Sequence, residues 1–381
     1  MDPLPRWSIH NRILAKVSGD QSMKAQVKPR INLEGRTPLQ EVIPLATPFI
    51  IFVDPASACN FSCSFCPTGH SDMIKDTGRY QGVLKLDVYK KIIDDLDAFD
   101  KPIKVLRLYK DGEPFLNKNL AEMIRYAKAS GRVEYIDTTT NGSLLTPQRM
   151  AELLEAGLDK INISVDGMSN AQYREFTGFD FDFDQFVSNV RWLYQNKGDC
   201  EVLIKIPGEL LQEGQREQFL QTFGDHCDRI FIENFAPCWP EFDVEEHTGF
   251  KITEGIYQQP IKPTDTCPYI FYAMSVNSDG QVSSCFLDWG RKLLIGDARK
   301  QSLREIWTGD AMNALRLQHL RGQRGNNPVC SQCGQLSHCL PDNIDPWREE
   351  LLARFQEKVS LPDGAPIPGM SARRVVPVVP A

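Results

Sequence analysis

Six short runs of apolar, β-forming residues alternate with amphipathic stretches between residues 48 and 237. Each run is largely apolar, as expected for strands of a parallel sheet that is covered on both faces. Strand and helix in repeated alternation predict an α/β fold, with a parallel sheet that is open or partly closed into a barrel. The runs are Phe49–Val53, Lys104–Tyr109, Glu134–Thr138, Lys160–Val165, Glu201–Ile206 and Arg229–Asn234.

The stretches between the runs carry start and stop signals of helices. Thr146 and Pro147 predict a helix start and Gly157 its end, and Gly131 predicts the end of the preceding helix. An apolar stripe at helical spacing predicts a further helix before the second strand. The stripe consists of Val88, Ile92, Leu96 and Phe99.

The alternation of strands and helices stops after Pro237, where prolines become frequent. A domain boundary is therefore predicted near residues 240–260, with a smaller cysteine-containing domain after it. The last residues are rich in Pro, Gly, Val and Ala and predict a flexible tail. The predicted organisation is an N-terminal extension packed on the barrel (1–46), a partial barrel (47–240), a linker (241–259), the smaller domain (260–345), and a C-terminal helix with a flexible tail (346–381).

The composition is that of an ordinary globular protein. Its 381 residues include 43 Lys and Arg against 50 Asp and Glu, a net charge of −7 with no basic run, which disfavours a nucleic-acid partner. The longest apolar stretch, Val42–Val53, contains two prolines and is shorter than the ~20 residues of a membrane span. No secretory signal is visible. A soluble, cytoplasmic protein without a membrane partner is therefore expected.

Eleven cysteines in a chain of this length do not form a compact disulfide framework, so metal or redox chemistry is the leading explanation. Cys59, Cys63 and Cys66 follow the first predicted strand with the spacing C-x3-C-x2-C. Three thiolates can converge on zinc or on an iron–sulfur cluster, and three ligands to a four-iron cluster leave one iron open. The alternatives are buried, unligated cysteines or a structural zinc site, which would need a fourth ligand; the nearest histidine is His70.

This loop resembles the signature of the radical S-adenosylmethionine (SAM) superfamily, C-x3-C-x-aromatic-C. Cys59, Cys63, Phe65 and Cys66 match the signature position by position. The resemblance covers about residues 48–240. It implies a partial (β/α)6 barrel in which the three cysteines hold a [4Fe–4S] cluster that binds SAM through its open iron.

Polar residues after the next strands resemble the SAM-binding positions of the superfamily. Gly112 and Glu113 resemble the end of a Gly-Gly-Glu motif that holds the methionine amino group, with Asp111 in place of the first glycine. A plain Asp-Gly turn and ordinary strand-end caps are the alternatives. The glycine-rich fifth strand of the family is not evident in Val202–Ile206. The cofactor-binding residues implied by the resemblance are Phe65, Gly112, Glu113, Thr139, Asn141, Ser164 and Asp166.

A second set of cysteines lies in the smaller predicted domain. Cys267 and Cys285 are followed by the Cys-x-x-Cys pair Cys330 and Cys333, and then by Cys339. Two separated cysteines plus such a pair form a complete four-thiolate set. From the chemistry alone, this set could hold zinc or a second [4Fe–4S] cluster.

The surrounding sequence resembles the SPASM and twitch extensions of radical SAM enzymes, which carry auxiliary iron–sulfur clusters. The similarity lies in Gly280-x4-Cys285, Leu294–Asp297, Ser302–Trp307 and the Cys-x-x-Cys pair. A full SPASM domain has seven cysteines, whereas this one has five and Asn343 where another would follow Cys339. The spacing resembles that of the twitch-type 2-deoxy-scyllo-inosamine dehydrogenases, so one auxiliary [4Fe–4S] cluster is expected. Its implied ligands are Cys267, Cys285, Cys330 and Cys333; Cys339 is left over, and Cys200, Cys227 and Cys238 are expected to be unligated.

The resemblance implies an enzyme that cleaves SAM to methionine and a 5′-deoxyadenosyl radical, which abstracts hydrogen from a substrate. Flavodoxin or ferredoxin is the expected electron donor. Residues 1–46 are short for a leader-peptide-binding domain, which favours a small polar substrate of the sugar or aminocyclitol type. The expected reaction is the two-electron oxidation of a carbinol. Alternatives are radical epimerisation, peptide maturation and, outside the enzymes, a structural metal-binding module.

Candidate catalytic residues lie at the ends of the later strands. Lys205, Glu233 and Asp137 could act as the base that takes a proton during dehydrogenation, although residues at such positions are more often caps or ion pairs. Cys238 follows the sixth strand, and its thiol could return a hydrogen atom to the opposite face of the substrate. That chemistry would produce an epimer. The sequence therefore leaves dehydrogenation and epimerisation open.

Overall fold

The computed structural model describes residues 23–32, 35–339, 342–362 and 364–370. Its central feature is one sheet of ten strands in the order β1-β7-β6-β5-β4-β3-β2-β8-β9-β10. The sheet has two edges and is therefore not closed. The strands are β1 Gln26–Val27, β2 Ile50–Val53, β3 Ile103–Arg107, β4 Val133–Thr140, β5 Lys160–Ser164, β6 Glu201–Pro207, β7 Arg229–Glu233, β8 Ala273–Val276, β9 Gln281–Ser283 and β10 Leu294–Asp297.

The six predicted strands correspond to β2–β7, and all six are parallel to their neighbours. The sheet is curled. This follows from the position of Arg30, which lies near Tyr109, just after β3, and also near Glu233, at the end of β7. The prediction of an α/β fold with a partial barrel is therefore confirmed. Ligands of such folds gather at the carboxyl ends of the strands.

Helices connect the parallel strands and cover the outside of the sheet. The predicted helix start at Thr146 is confirmed, since its hydroxyl accepts a hydrogen bond from the Arg149 N–H (3.3 Å). Gly131 ends its helix with a φ of 65°. The helices are α1 Leu39–Val42, α2 Ser71–Thr77, α3 Leu86–Asp94, α4 Leu120–Ser130, α5 Pro147–Glu155, α6 Asn170–Thr177, α7 Phe183–Asn196, α8 Gln215–Phe223, α9 Val244–Thr248, α10 Tyr269–Tyr272, α11 Leu303–Thr308, α12 Asp310–Leu320, α13 Gln335–His338 and α14 Arg348–Lys358.

The central parallel strands are largely buried on both faces, as expected, but the two faces differ in polarity. Leu106, Ile136 and Ile161 belong to the buried hydrophobic core on the outer face. Arg107 and Asp137 are paired across β3 and β4 on the other face. On this concave side, polar residues of neighbouring strands lie next to one another, with Arg107 beside Asp137 and Thr139 beside Asn162. The space that these residues face is called the chamber below.

The N-terminal segment extends the sheet beside β7. β1 is parallel to β7, and the Ala25 N–H donates a hydrogen bond to the Gly224 carbonyl (2.9 Å). Further along the segment, the Arg229 guanidinium donates to the Asn32 side chain (2.8 Å). The described part of the predicted extension is thus attached to the barrel, while residues 1–22 lie outside the described residues.

The smaller domain has no separate sheet, because β8 is parallel to β2 and continues the barrel sheet into β9 and β10. The segment predicted as a linker, 241–259, includes α9 and buries Phe242 and Val244 in an apolar cluster with Trp289. α14 packs Phe355 near Phe271. Of the predicted tail, residues 371–381 lie outside the described residues. No helix in the described part of the chain combines the length and apolar character that crossing a membrane requires.

Candidate active site

The first thiol set, Cys59, Cys63 and Cys66, lies on the loop that leaves the carboxyl end of β2. The three side chains lie close together. After burial, the largest cause, the pKa of Cys63 is raised by Asp166 and by both other thiols, and the pKa of Cys59 is raised by Glu113 and Cys66. For Cys59 the pKa reaches about 12. The loop therefore presents three soft donors to one common space.

Neighbouring strand ends hold this loop in place. The Asn141 amide donates hydrogen bonds to the Asn60 side chain (3.0 Å) and to the Cys59 sulfur (3.9 Å). The Ser62 N–H donates to the Thr177 carbonyl (2.7 Å). A Cβ at Gly69 would lie 2.2 Å from the Cys63 carbonyl oxygen, so only glycine allows this close approach to the loop.

Glu113 is buried beside the loop, with its carboxylate oriented by three donors. Its Oε1 accepts hydrogen bonds from the Phe115 N–H (3.0 Å) and the Thr140 hydroxyl (2.7 Å), and its Oε2 accepts from the Asn141 N–H (2.8 Å). Burial raises the pKa of Glu113 to about 7. The predicted SAM-binding residues Glu113 and Asn141 are thus in direct contact.

Gly112 is the residue of this motif with the least room. A Cβ there would lie 2.0 Å from the Ala58 carbonyl oxygen and 2.5 Å from that of Ala56, both in the backbone that leads into the cysteine loop. We expect Gly112→Ala to displace the loop and to destabilise the protein by about 1–3 kcal/mol, as overpacking does. Iron content after anaerobic reconstitution and the denaturation midpoint measure the two effects.

The matched control for this change is Gly325→Ala. No atom of a non-adjacent described residue lies within 4 Å of the position where a Cβ of residue 325 would stand, so the substitution should leave iron content and stability close to the wild type. Equal losses in both variants would contradict a specific role of Gly112.

The remaining predicted cofactor residues divide into two groups. Phe65 and Asp166 lie near the first thiol set: the Phe65 ring is 5.0 Å from that of Phe235, and Asp166 raises the pKa of Cys63. Burial raises the pKa of Asp166 itself to about 6. Thr139 and Ser164 line the concave face of the sheet, where the Asn162 amide donates to the Thr139 hydroxyl (3.3 Å). Whether these residues contact SAM remains a prediction.

Asp111, which replaces a glycine of the family motif, is the centre of a buried ion network. Its side chain is fully buried and lies 2.6 Å from Arg291, 2.9 Å from Lys110 and 3.8 Å from Arg79. Burial alone would raise the pKa of Asp111, but the three cations outweigh it and hold this pKa below its ordinary value. Because Arg291 belongs to the smaller domain, the network joins that domain to the barrel.

The second thiol set gathers four side chains from separate parts of the smaller domain. The thiol of Cys285 has its pKa raised first by burial and then by the other three, so the four sulfurs share one region. The backbone N–H of Leu287 donates to the Cys285 sulfur (3.4 Å). The set consists of Cys267, Cys285, Cys330 and Cys333.

Cys238 lies between the two thiol sets. The Cys333 thiol donates to the Cys238 carbonyl (3.6 Å). Burial, followed by Cys333 and more weakly by Cys66 on the first loop, raises the pKa of Cys238 to about 12. Cys339 is buried near Cys238 and Cys333. The other two cysteines expected to be unligated, Cys200 and Cys227, belong to the hydrophobic core.

The candidate bases form ion pairs on the concave face. Lys205 and Glu233 are directly hydrogen-bonded to each other. Asp137 lies 3.5 Å from Arg107. Glu233 acts electrostatically on Asp166, near the first thiol set, and on Cys339, near the second. Glu233 therefore lies near residues that neighbour each thiol set, and its role as a base remains a prediction.

Several chamber residues were missed by the sequence reasoning. Arg107 is the last residue of β3, and Tyr109 follows it two positions later. Because residues two apart in an extended chain point to the same side, this spacing could have revealed a polar face. The Phe52 ring stacks on Phe286 (4.6 Å), the residue after Cys285. No sequence pattern pointed to Arg30, because the segment around it shows no helical or strand periodicity of its hydrophobic residues.

Both thiol sets fit iron–sulfur clusters by the chemistry of their donors, since soft thiolates are the usual ligands of such clusters. A side chain at position 69 or 112 would collide with the backbone of the first loop or of the segment that leads into it, so the two glycines leave the loop its space. Among the described residues, no three His, Cys, Asp or Glu side chains are grouped as a single metal ion would require. A four-iron cluster binds each thiolate through a different iron, so its donors stand farther apart.

Comparison with known proteins gives consistent results for both regions. Residues 53–218 match the radical SAM superfamily, and residues 267–334 match the SPASM iron–sulfur cluster-binding domain. The tungsten-containing aldehyde ferredoxin oxidoreductase cofactor-modifying protein of Pyrococcus furiosus is 30% identical over 344 residues, covering 79% of this chain and 92% of that protein. The S-adenosyl-L-methionine-dependent 2-deoxy-scyllo-inosamine dehydrogenase of Niallia circulans is 24% identical over 302 residues, covering 78% and 96%.

Among solved structures, BtrN in complex with AdoMet and 2-DOIA superimposes with a TM-score of 0.50. The superposition covers 75% of this chain and 92% of that one, at 20% sequence identity. At this identity the likeness shows a shared fold.

Proposed function

We propose that this chain, which belongs to the radical SAM superfamily and carries a C-terminal SPASM domain, oxidises a hydroxyl-bearing carbon of a small polar substrate to a carbonyl. The radical SAM domain binds a [4Fe–4S] cluster and SAM, and the SPASM domain binds auxiliary iron–sulfur clusters. When bound, these groups supply a 5′-deoxyadenosyl radical, which takes a hydrogen atom from carbon, and an acceptor for one electron. The net reaction converts carbinol and SAM into carbonyl, methionine, 5′-deoxyadenosine and one proton.

The proximity of the two thiol sets is the observation that carries this proposal. Cys238 interacts with Cys333 of the second set and with Cys66 of the first. The Phe286 ring, next to Cys285, lies against Phe52 of the barrel. A substrate in the chamber is therefore close to both sets, as a hydrogen abstraction followed by electron loss requires.

The chain's own residues would bind the substrate and take up its proton. The carbinol proton leaves to Glu233, which is hydrogen-bonded to Lys205 and acts electrostatically on both Asp166 and Cys339. Holding the reacting carbon beside the radical and excluding water are the chamber's other tasks. The proposal includes one auxiliary [4Fe–4S] cluster on Cys267, Cys285, Cys330 and Cys333, and flavodoxin or ferredoxin as the electron donor.

Radical epimerisation is the second candidate, and the location of Cys238 between the thiol sets favours it. Mass spectrometry in deuterated water separates the two reactions, using the reconstituted protein, SAM, a reductant and a metabolite extract as the substrate source. Dehydrogenation should give a product two hydrogens lighter than its substrate, formed with 5′-deoxyadenosine and without deuterium at the reacting carbon. The Cys238→Ala protein should make this product as well.

An epimerase would give a different result in the same experiment. Its product would be an isomer of the substrate whose only mass change is one deuterium, and Cys238→Ala would stop that incorporation. Deuterium uptake that depends on Cys238 would therefore overturn dehydrogenation.

A further inference from the structure

We propose that Arg30 and Arg107 form an anion subsite in the barrel chamber, and that the substrate is a hydroxylated carboxylate or phosphate. The proposal rests on the proposed function only in taking the occupant of the chamber to be the substrate. It is carried by the ion pairs of the concave face, which leave Arg30 without a close carboxylate, and by buried polar atoms there that have no hydrogen-bond partner among the described residues.

Arg30 enters the chamber from the N-terminal segment that β1 anchors to β7. Its guanidinium donates to the Tyr109 hydroxyl (3.5 Å) and lies 5.8 Å from the centre of that ring. Arg107 donates to the same hydroxyl at 2.5 Å. Two guanidinium groups from opposite sides of the chamber therefore meet at one phenolic oxygen.

The cations around this point are not all matched by carboxylates. Lys205 is paired with Glu233, and Arg107 lies 3.5 Å from Asp137. Among the described residues, Arg30 has no carboxylate within 4.0 Å. Tyr109 first, and then Tyr257 and Glu233, raise the pKa of Arg30 above its ordinary value, so it is a cation at any relevant pH. Glu233 and Asp137 act on Arg30 from a greater distance, so Arg30 is a cation near Tyr109 without a close ion-pair partner among the described residues.

Three buried polar atoms on the same face have no hydrogen-bond partner in the described part of the chain. They are Arg107 Nε, Asp137 Oδ1 and Asn162 Oδ1. Asp137 and Asn162 are 3% and 0% exposed, so neither oxygen can be assigned to bulk water. Unsatisfied buried groups are uncommon and point to a partner that is absent. Two free acceptors are suited to hydroxyl or amine donors, and the free guanidinium N–H is suited to an anion.

The aromatic wall connects this point to the second thiol set. Tyr109 meets Phe52 edge-on at 5.7 Å, and Phe52 stacks on Phe286. A molecule whose anionic end lies on the arginines can extend along these rings toward Cys285. The subsite would therefore fix the orientation of the substrate relative to both thiol sets.

These features together select a class of substrate. A planar guanidinium fork without a close ion-pair partner favours a carboxylate or phosphate. The free acceptors favour hydroxyl groups on the same molecule. An aminocyclitol, which is a cation at neutral pH, would be repelled by Arg30, so sugar acids and sugar phosphates fit the chamber better than the amino sugars expected from the sequence.

Equilibrium binding to the reconstituted protein with saturating SAM tests this inference without requiring turnover. The probes are D-glucuronate for a carboxylate, D-glucose 6-phosphate and inorganic phosphate for a phosphate, D-glucose as the neutral match and D-glucosamine as the cation. We expect at least one acidic sugar to bind about tenfold more tightly than D-glucose, which is the usual effect of a charge-assisted pair. If D-glucuronate binds more tightly than D-glucose 6-phosphate, the preferred anion is a carboxylate; the reverse order identifies a phosphate.

The variants assign the preference to Arg30. Arg30→Gln should remove the preference for the acid, and Arg30→Lys, which keeps the charge without the fork, should retain part of it. Lys28→Gln is the matched control, because Lys28 is an exposed cation of the same segment, and it should retain the full preference. SAM affinity should be unchanged in all three variants.

Three results would overturn the inference. The first is tighter binding of D-glucosamine than of either acid. The second is a failure of Arg30→Gln to behave as expected. Either the acid preference survives in that variant, or the variant loses SAM affinity, which would assign Arg30 to SAM binding instead. The third is failure of every acidic probe to bind the wild type below ~10 mM, a weaker affinity than a built site should give. None of these results depends on 5′-deoxyadenosine formation, whose absence would instead contradict the proposed function.

Discussion

Replacing Cys66 by alanine is expected to abolish SAM cleavage while leaving a folded protein with about half of its iron. Cys66 is one of three thiols that face a common space on the first loop, and no other cysteine of the chain lies on that loop. Without it the first set has two donors, too few to hold a four-iron cluster that keeps one iron open. 5′-Deoxyadenosine formation should fall by at least about a thousandfold, since enzymes typically accelerate their reactions about 10⁶-fold or more.

The measurement is anaerobic reconstitution followed by iron and sulfide counts and chromatography of 5′-deoxyadenosine. Cys200→Ala is the matched control, because it also removes a thiol, and the charged groups that act on Cys200 are Lys197, Asp159 and Asp228 instead of either thiol set. It should keep the parental iron content and rate. Parental 5′-deoxyadenosine formation by Cys66→Ala would show that the first set does not hold the SAM-binding cluster.

Asp111→Ala is expected to lower the free energy of unfolding by about 3–5 kcal/mol, because removing one member of a buried ion group leaves uncompensated charges. The change leaves Arg291, Lys110 and Arg79 buried together. Asp54, another buried carboxylate of this network, lies 4.0 Å from Arg291, but its single charge cannot balance three buried cations. Asp111→Gly, which restores the residue of the family motif, should destabilise the protein to a similar extent.

Chemical denaturation of the reconstituted protein gives these free energies. Asp180→Ala is the control, since Asp180 forms an exposed pair with Arg174, and exposed pairs contribute little to stability. If Asp111→Gly were as stable as the wild type, the ion network would have no structural role, and the glycine of the family motif would be interchangeable with aspartate here.

Much of the barrel could be predicted from the sequence, because its strands and helices are specified by local patterns. The six parallel strands were predicted within a few residues of their observed ends, and Thr146 and Gly131 carry capping signals that act within one helical turn. The thiol sets could be located because metal ligands must occur at particular spacings. Such signals involve residues that are close together in the sequence, so they can be recognised in a single sequence.

The rest depends on contacts between distant segments, which leave no local pattern. β1 has two residues and pairs only because β7 offers an open edge. β8 was expected to belong to a separate domain, yet it is parallel to β2. Arg30 reaches the chamber through the first of these pairings, so its role could not be read from its neighbours in sequence. Asp111 was recognised as a departure from the family motif, but its three partners became visible only in the folded chain.

The pairing of β1 with β7 also sets an order of events during synthesis on the ribosome. Lys24 and its partner Asp225 are 201 positions apart. At typical elongation rates the N-terminal segment emerges on the order of 10–40 s before the strand that it pairs with. The nascent chain therefore carries Arg30 without its final surroundings while the intervening strands assemble. The arginine end of the chamber is completed only after residue 229 has been translated.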